Sequence, residues 1–154
     1  MTKIPRLALA AGFTCQLAAA AVAQPDAPAT AYTRTVEAEF DDIAFAVEQA
    51  ITDEGLVVDL TSHVGDMLAR TKQDVGGGKD LFLHASVFSF CSARASREAM
   101  EAELSNVQFC PYGVFVYEAT GTPGTIVVGH RINPGASMAG VNEMLSRIVD
   151  AAVE

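Results

Sequence analysis

Two cysteines restrict the sheet this chain can build. Cys91 closes Phe88-Ser89-Phe90-Cys91, and Cys110 opens Cys110-Pro111-Tyr112 after Phe109. They adjoin two apolar segments, 81–90 and 113–119, that read as strands. If Cys91 leaves one strand and Cys110 enters its antiparallel neighbour, both thiols share one end of the sheet. In a parallel pair they would stand a strand length apart, beyond the roughly 7 Å between α-carbons that a disulfide tolerates. The helix between them can return the chain to the same end only in the antiparallel case. We therefore expect neighbouring cysteines, with His63 on the helix nearest to them.

The beginning of the chain bears on their chemistry. Lys3 and Arg6 form a basic start, Leu7 to Val22 is almost wholly apolar, and Ala21-Val22-Ala23 is a small-x-small cleavage site. The apolar run is shorter than the roughly 20 residues of a membrane span, and it is Ala-rich rather than Leu-rich. Residues 1–23 are expected to be a signal peptide cleaved near Ala23, 24–32 a flexible Ala/Pro leader, and 33–154 one domain. Cys15 leaves with the signal; Gly12-Phe13-Thr14 before it fits a lipid-anchor site poorly. The expected location is periplasmic or secreted, with no membrane attachment after cleavage. Losing Lys3 and Arg6 reduces ten basic residues to eight against nineteen acidic, a net charge of −11. That balance argues against nucleic acid, whose binding rests on Lys and Arg displacing counterions, and against anionic lipid.

The rest alternates strand and helix patterns. Thr33 to Phe40 reads as a strand. Asp41 or Asp42 would cap a helix carrying Ile43, Val47, Ala50 and Ile51 on one face, ended by Gly55. Leu56 to Leu60 is a short strand, and Ser62 would cap a helix to about Lys72. Ser92 would cap another, reaching about Leu104. Strands 113–119 and 125–131 flank Gly121-Thr122-Pro123-Gly124 and predict a hairpin. A final helix runs from Ser137 to Val153 with Val141, Leu145, Ile148 and Ala152 inward. The pattern predicts an α+β fold of two layers, one sheet covered by helices. Gly76-Gly77-Gly78 lacks the Lys-Ser/Thr of a phosphate loop and reads as a connector.

The ordered series Ser62-His63-Val64-Gly65-Asp66-Met67-Leu68, Phe88-Ser89-Phe90-Cys91-Ser92-Ala93, Phe109-Cys110-Pro111-Tyr112-Gly113 and Val116-Tyr117-Glu118 resembles the domain-of-unknown-function family 302, in its exported proteobacterial branch. The likeness spans about residues 34–153. It implies a TBP-like, β-α-β-rich fold with an antiparallel sheet backed by helices, and a homodimer. It implies no enzyme activity. Cys91 and Cys110 match the family's Phe-Cys and Cys-Pro-Tyr positions.

The cysteine pair supports several readings. An oxidising compartment favours a structural disulfide. His63 and Met67, spaced i and i+4, would share a helix face. With the thiolates of Cys91 and Cys110 they would suit copper(I), and His84 and Met100 are further candidates. Against these stand a Met67 that fills the core and a His63 bonded to nearby backbone. Reversible thiol-redox exchange is the third reading. The chain lacks Cys-x-x-Cys-His, so covalent haem is not expected, and it lacks Cys-x-x-Cys, Gly-x-Ser-x-Gly, His-Glu-x-x-His and a dinucleotide fingerprint. Tyr112, Tyr117, His130 and Arg131 could meet a small anion, though sheet packing accounts for them better. The expectation is an exported binding or sensory domain that uses the cysteine pair. The alternatives are a thiol-redox or sulfur-chemistry enzyme or carrier, a copper(I)-binding protein, and a structural envelope partner stapled by a disulfide.

Overall fold

Among the described residues, the first three strands and the first three helices alternate, and a β-hairpin and a last helix follow. The structure, a computed structural model, describes residues 29–154; the expected signal peptide and most of the leader lie outside them. Strands β1 (Ala31–Glu37), β2 (Val58–Ser62), β3 (Phe82–Phe90), β4 (Tyr112–Ala119) and β5 (Thr125–Arg131) form one sheet in the order β1-β5-β4-β3-β2. Every neighbouring pair is antiparallel. The fold is α+β, an antiparallel sheet backed by helices α1 (Phe40–Asp53), α2 (Val64–Thr71), α3 (Ala93–Ala102) and α4 (Ala139–Ala151).

Alternation along the strands sorts the two faces. Phe88, Phe90, Val114, Val116, Ile126 and Val128 point to one side and are buried. Val47 and Ile51 of α1 and Leu145, Ile148 and Val149 of α4 close over them. Each such side chain contributes about 1.5–3 kcal/mol relative to exposure. The opposite face, away from α1 and α4, carries Leu60, Phe82, Val87, Phe115 and Tyr117; Leu60 is exposed. Phe115 lies across from Gly129, where a Cβ would stand 2.8 Å from the Thr33 methyl, 2.7 Å from the Phe115 ring and in collision with the Tyr32 carbonyl. Glycine is required there by space.

Several element ends differ from expectation. The first strand ends at Glu37, because Phe40 already opens α1. Asp41 and Asp42 sit inside the first helical turn, where carboxylates favour the positive helix end, and cap nothing. Gly55 does end α1, at φ +77°. Its N–H bonds the Thr52 carbonyl and that of Leu56 the Ile51 carbonyl, the paired closure that a left-handed residue permits. The second strand starts two residues later than expected and retains Ser62, which pairs with Val87 rather than capping α2. His63 takes the cap position with no side-chain cap bond. Helix α2 then lies against β3 at Gly65, where a Cβ would come within 2.8 Å of the Ala85 nitrogen. Helix α3 stops at Ala102, since Glu103 is extended and the buried Asn106 amide donates to the Ala99 carbonyl at 2.8 Å. Residues Leu104–Phe109 form a 3-10 helix that the sequence pattern did not reveal. A 3-10 turn, Ala136–Met138, precedes α4, which ends at Ala151 rather than Val153.

Candidate functional site

The antiparallel pairing of β3 with β4 puts Phe90 opposite Tyr112. Cys91 is therefore the residue after β3, and Cys110 stands just before β4, joined to Pro111 through a cis peptide. The strand ends bring the two sulfurs to 2.9 Å. Ser92 fixes the chain beyond Cys91: its hydroxyl accepts the Ala95 N–H at 3.3 Å and starts α3. One turn on, the Ser96 hydroxyl lies 3.9 Å from the Cys110 sulfur and 3.2 Å from the Tyr112 hydroxyl. Cys91 is exposed and Cys110 partly covered.

Proximity of the sulfurs governs the acidity of Cys91. The hydrogen bond between the thiols, then burial, then the nearby charges of Cys110 and Asp59 push Cys91 up to about 11. At pH 7 roughly one Cys91 in ten thousand would be thiolate. The thiolate is the attacking form, so this is not an activated nucleophile. Tyr112 is also held above its ordinary value, first by burial.

The structure does not assemble the expected four-residue set. His63 follows β2 where Ser62 pairs with Val87, four residues short of Cys91. At about 3.3 Å per residue that separates them by roughly 13 Å along the sheet. His63 faces Ser86, Nδ1 to Oγ 3.4 Å. The helix nearest the cysteines is α3, through Ser96, so the placement of His63 beside them is corrected. Met67 is exposed on α2, its sulfur 4.0 Å from the Thr71 hydroxyl, and does not fill the core. Met100 lies late in α3. His84 stacks on Phe40 with ring centroids 4.9 Å apart. Among the described residues, no three His, Cys, Asp or Glu side chains converge to hold a metal ion. The cause is the side of the sheet end: the cysteines occupy the β3–β4 junction, while His63 and Met67 follow the β2 exit at the other end of the β2–β3 pair.

The carboxy-terminal hairpin residues are structural in their contacts. His130 is buried. Its Nδ1 lies 2.9 Å from the Arg131 carbonyl, which can only accept, so Nδ1 carries the proton. Its Nε2 then accepts from the Ser146 hydroxyl at 3.0 Å. Arg131 lies over the Phe109 ring, 5.9 Å from the centroid. Tyr117 packs beside Phe82 and Phe115 on the open face. Ser96 was missed by sequence reasoning. Its signal was its position one turn past the Ser92 cap, the first turn that can face back to Cys110.

A family model described as "Domain of unknown function DUF302" matches residues 32–154. The chain is also similar to a solved structure titled as an uncharacterized conserved DUF302 protein from Bacillus stearothermophilus. That similarity has a TM-score of 0.64 at 19% identity, covering 80% of this chain and 98% of the other. At that identity the likeness speaks for the fold. No curated protein matches the chain.

Proposed function

Since the chain belongs to the family of the domain of unknown function DUF302, whose description carries no activity, we propose that it is an exported binding or sensory domain with a working cysteine pair. In this reading it belongs to the family's exported branch, acts in the periplasm or outside the cell, and closes Cys91 and Cys110 into a disulfide there. The observation that carries it is the 2.9 Å approach of two sulfurs held by adjacent antiparallel strand ends. Bond formation takes two thiols to one disulfide with release of two protons; the two electrons pass to an external disulfide by exchange. The Cys91 value of about 11 leaves little thiolate at neutral pH, which argues for a reading without substrate turnover. The reading includes no catalytic step.

The test is thiol counting after denaturation, on protein recovered from an oxidising compartment. The expected result is no free thiol before reductant and two after it, with one remaining in Cys91→Ser. Two free thiols before reductant would remove the proposal. Titration with glutathione mixtures then separates a labile pair, reduced near the glutathione potential, from a staple that resists it.

The homodimer is proposed as well. Its support is the sheet face away from α1 and α4, where Leu60 is exposed and Phe82, Phe115 and Tyr117 pack together, since an exposed apolar face marks an interaction surface. Sedimentation at micromolar concentration should give twice the chain mass. A single species at the monomer mass would rule it out.

A further inference from the structure

A concave site lies on the helix-covered side of the sheet, away from the cysteines. The first turns of α1 face the end of β2 and the middle of β3 across a cleft of about 490 Å3. That lies within the roughly 300–1,000 Å3 of small-molecule sites. Its apolar floor is the buried Phe88. One wall is the stack of Phe40 on His84, and Phe45, 62% exposed, stands at the rim. Polar groups converge from three elements. His63 faces the buried Ser86 hydroxyl, and the carboxylates Asp41 and Glu48 of α1 and Asp66 of α2 line the same space.

The charge pattern selects the ligand. The lining holds three carboxylates and neither Lys nor Arg. Among the described residues, the four ion pairs all lie elsewhere, so these carboxylates carry no internal counter-charge. A chain with nineteen acidic and ten basic residues adds a negative field at the mouth. Anions are disfavoured. Among the described residues, no three His, Cys, Asp or Glu side chains converge there to hold a bare metal ion. An aromatic cation fits both features: its ring against the Phe40–His84 stack and Phe45, its charge toward the carboxylates. We propose that this cleft binds a small organic cation with an aromatic body. The proposal gives a ligand class to the binding domain read above and rests on that reading, but not on the state of the cysteines.

The experiment uses the protein's three histidines as reporters. His63 and His84 line the cleft, while His130 is buried under α4 and serves as the internal control. Imidazole 1H–15N spectra are recorded during titration with 2-phenylethylamine and tryptamine, and separately with phenylacetate and indole-3-acetate, which keep the rings and reverse the charge. The expected result is saturable shifts of His63 and His84, with His130 unmoved, for at least one amine at about millimolar affinity. Neither carboxylate should produce them. Glu48→Gln should weaken the amine about tenfold and Phe45→Ala about threefold. Phe45 is exposed and Glu48 partly exposed, so neither is a core residue, and an unchanged His130 signal verifies folding. No shift with either amine at about 10 mM, equal binding of the carboxylates, or zinc moving His63 and His84 where the amines do not, would each overturn the proposal. Because thiols are not read, its failure is separate from failure of the cysteine reading.

Discussion

Oxidising Cys91 and Cys110 should stabilise the domain by about 3 kcal/mol. The two residues lie 19 apart in sequence, so the bond closes a loop of roughly 20 residues. The chain-entropy relation then removes about 11 cal/mol/K from the unfolded ensemble, or about 3.3 kcal/mol at 25 °C. The folded state adds little opposing cost, because the strand ends already hold the sulfurs at 2.9 Å. For a domain of this size the melting midpoint should rise by roughly 12 °C. The assay compares denaturant and thermal unfolding of the oxidised protein, the reduced protein, and the Cys91→Ser/Cys110→Ser double variant at pH 7. The reduced and double-variant proteins should agree within about 1 kcal/mol, both well below the oxidised form. The difference should also depend on pH. Cys91 is raised in the folded, reduced protein to about 11, so its stabilising effect is complete below the ordinary thiol value near 9 and is lost as pH rises through 11. The oxidised protein has no such group, and the gap should widen in alkali. Coincident unfolding of oxidised and reduced protein, or an oxidised form less stable than the reduced, would refute the reasoning.

Three further outcomes are expected. Gly129→Ala should cost about 1–3 kcal/mol or more, since the new methyl meets the Tyr32 backbone carbonyl as well as Phe115 and Thr33; a melting point unchanged from the parent would show that β1 moves freely there. Burial lowers the His130 value while its bond to the Arg131 carbonyl partly offsets this, so its contribution is complete above about pH 6.5 and declines as pH falls below it. The stability gap between parent and His130→Gln should narrow from pH 7 to pH 5, and a constant gap would count against a neutral buried imidazole. The mature protein should begin near Gln24, which an intact mass of exported protein checks; a mass that still includes Cys15 would contradict cleavage near Ala23.

Much of the architecture was legible in the chain because it depends on local chemistry. The hairpin of β4 and β5 was readable from two apolar runs around Gly121-Thr122-Pro123-Gly124. The end of α1 was readable because Gly55 adopts a left-handed conformation at little steric cost. Ser92 was readable as a cap because a hydroxyl there accepts a helical N–H. The closeness of Cys91 and Cys110 followed from antiparallel pairing, a relation between segments that position in the chain already suggested. Other features belong to tertiary structure alone. The strand order places β1 beside β5 rather than β2, which no local pattern encodes. Ser62 looked like a cap and became a strand residue because Val87 offered it a ladder partner. His63 and Met67 had the spacing of a ligand pair, but the sheet placed them past the middle of β3, away from the end that holds the cysteines. The cleft of Phe40, His63 and His84 draws on segments 23 and 44 residues apart, and only the crossing of α1 over the sheet brings them together. Sequence reports the preferences of neighbours; a site made of distant residues is decided by which surfaces the core must bury.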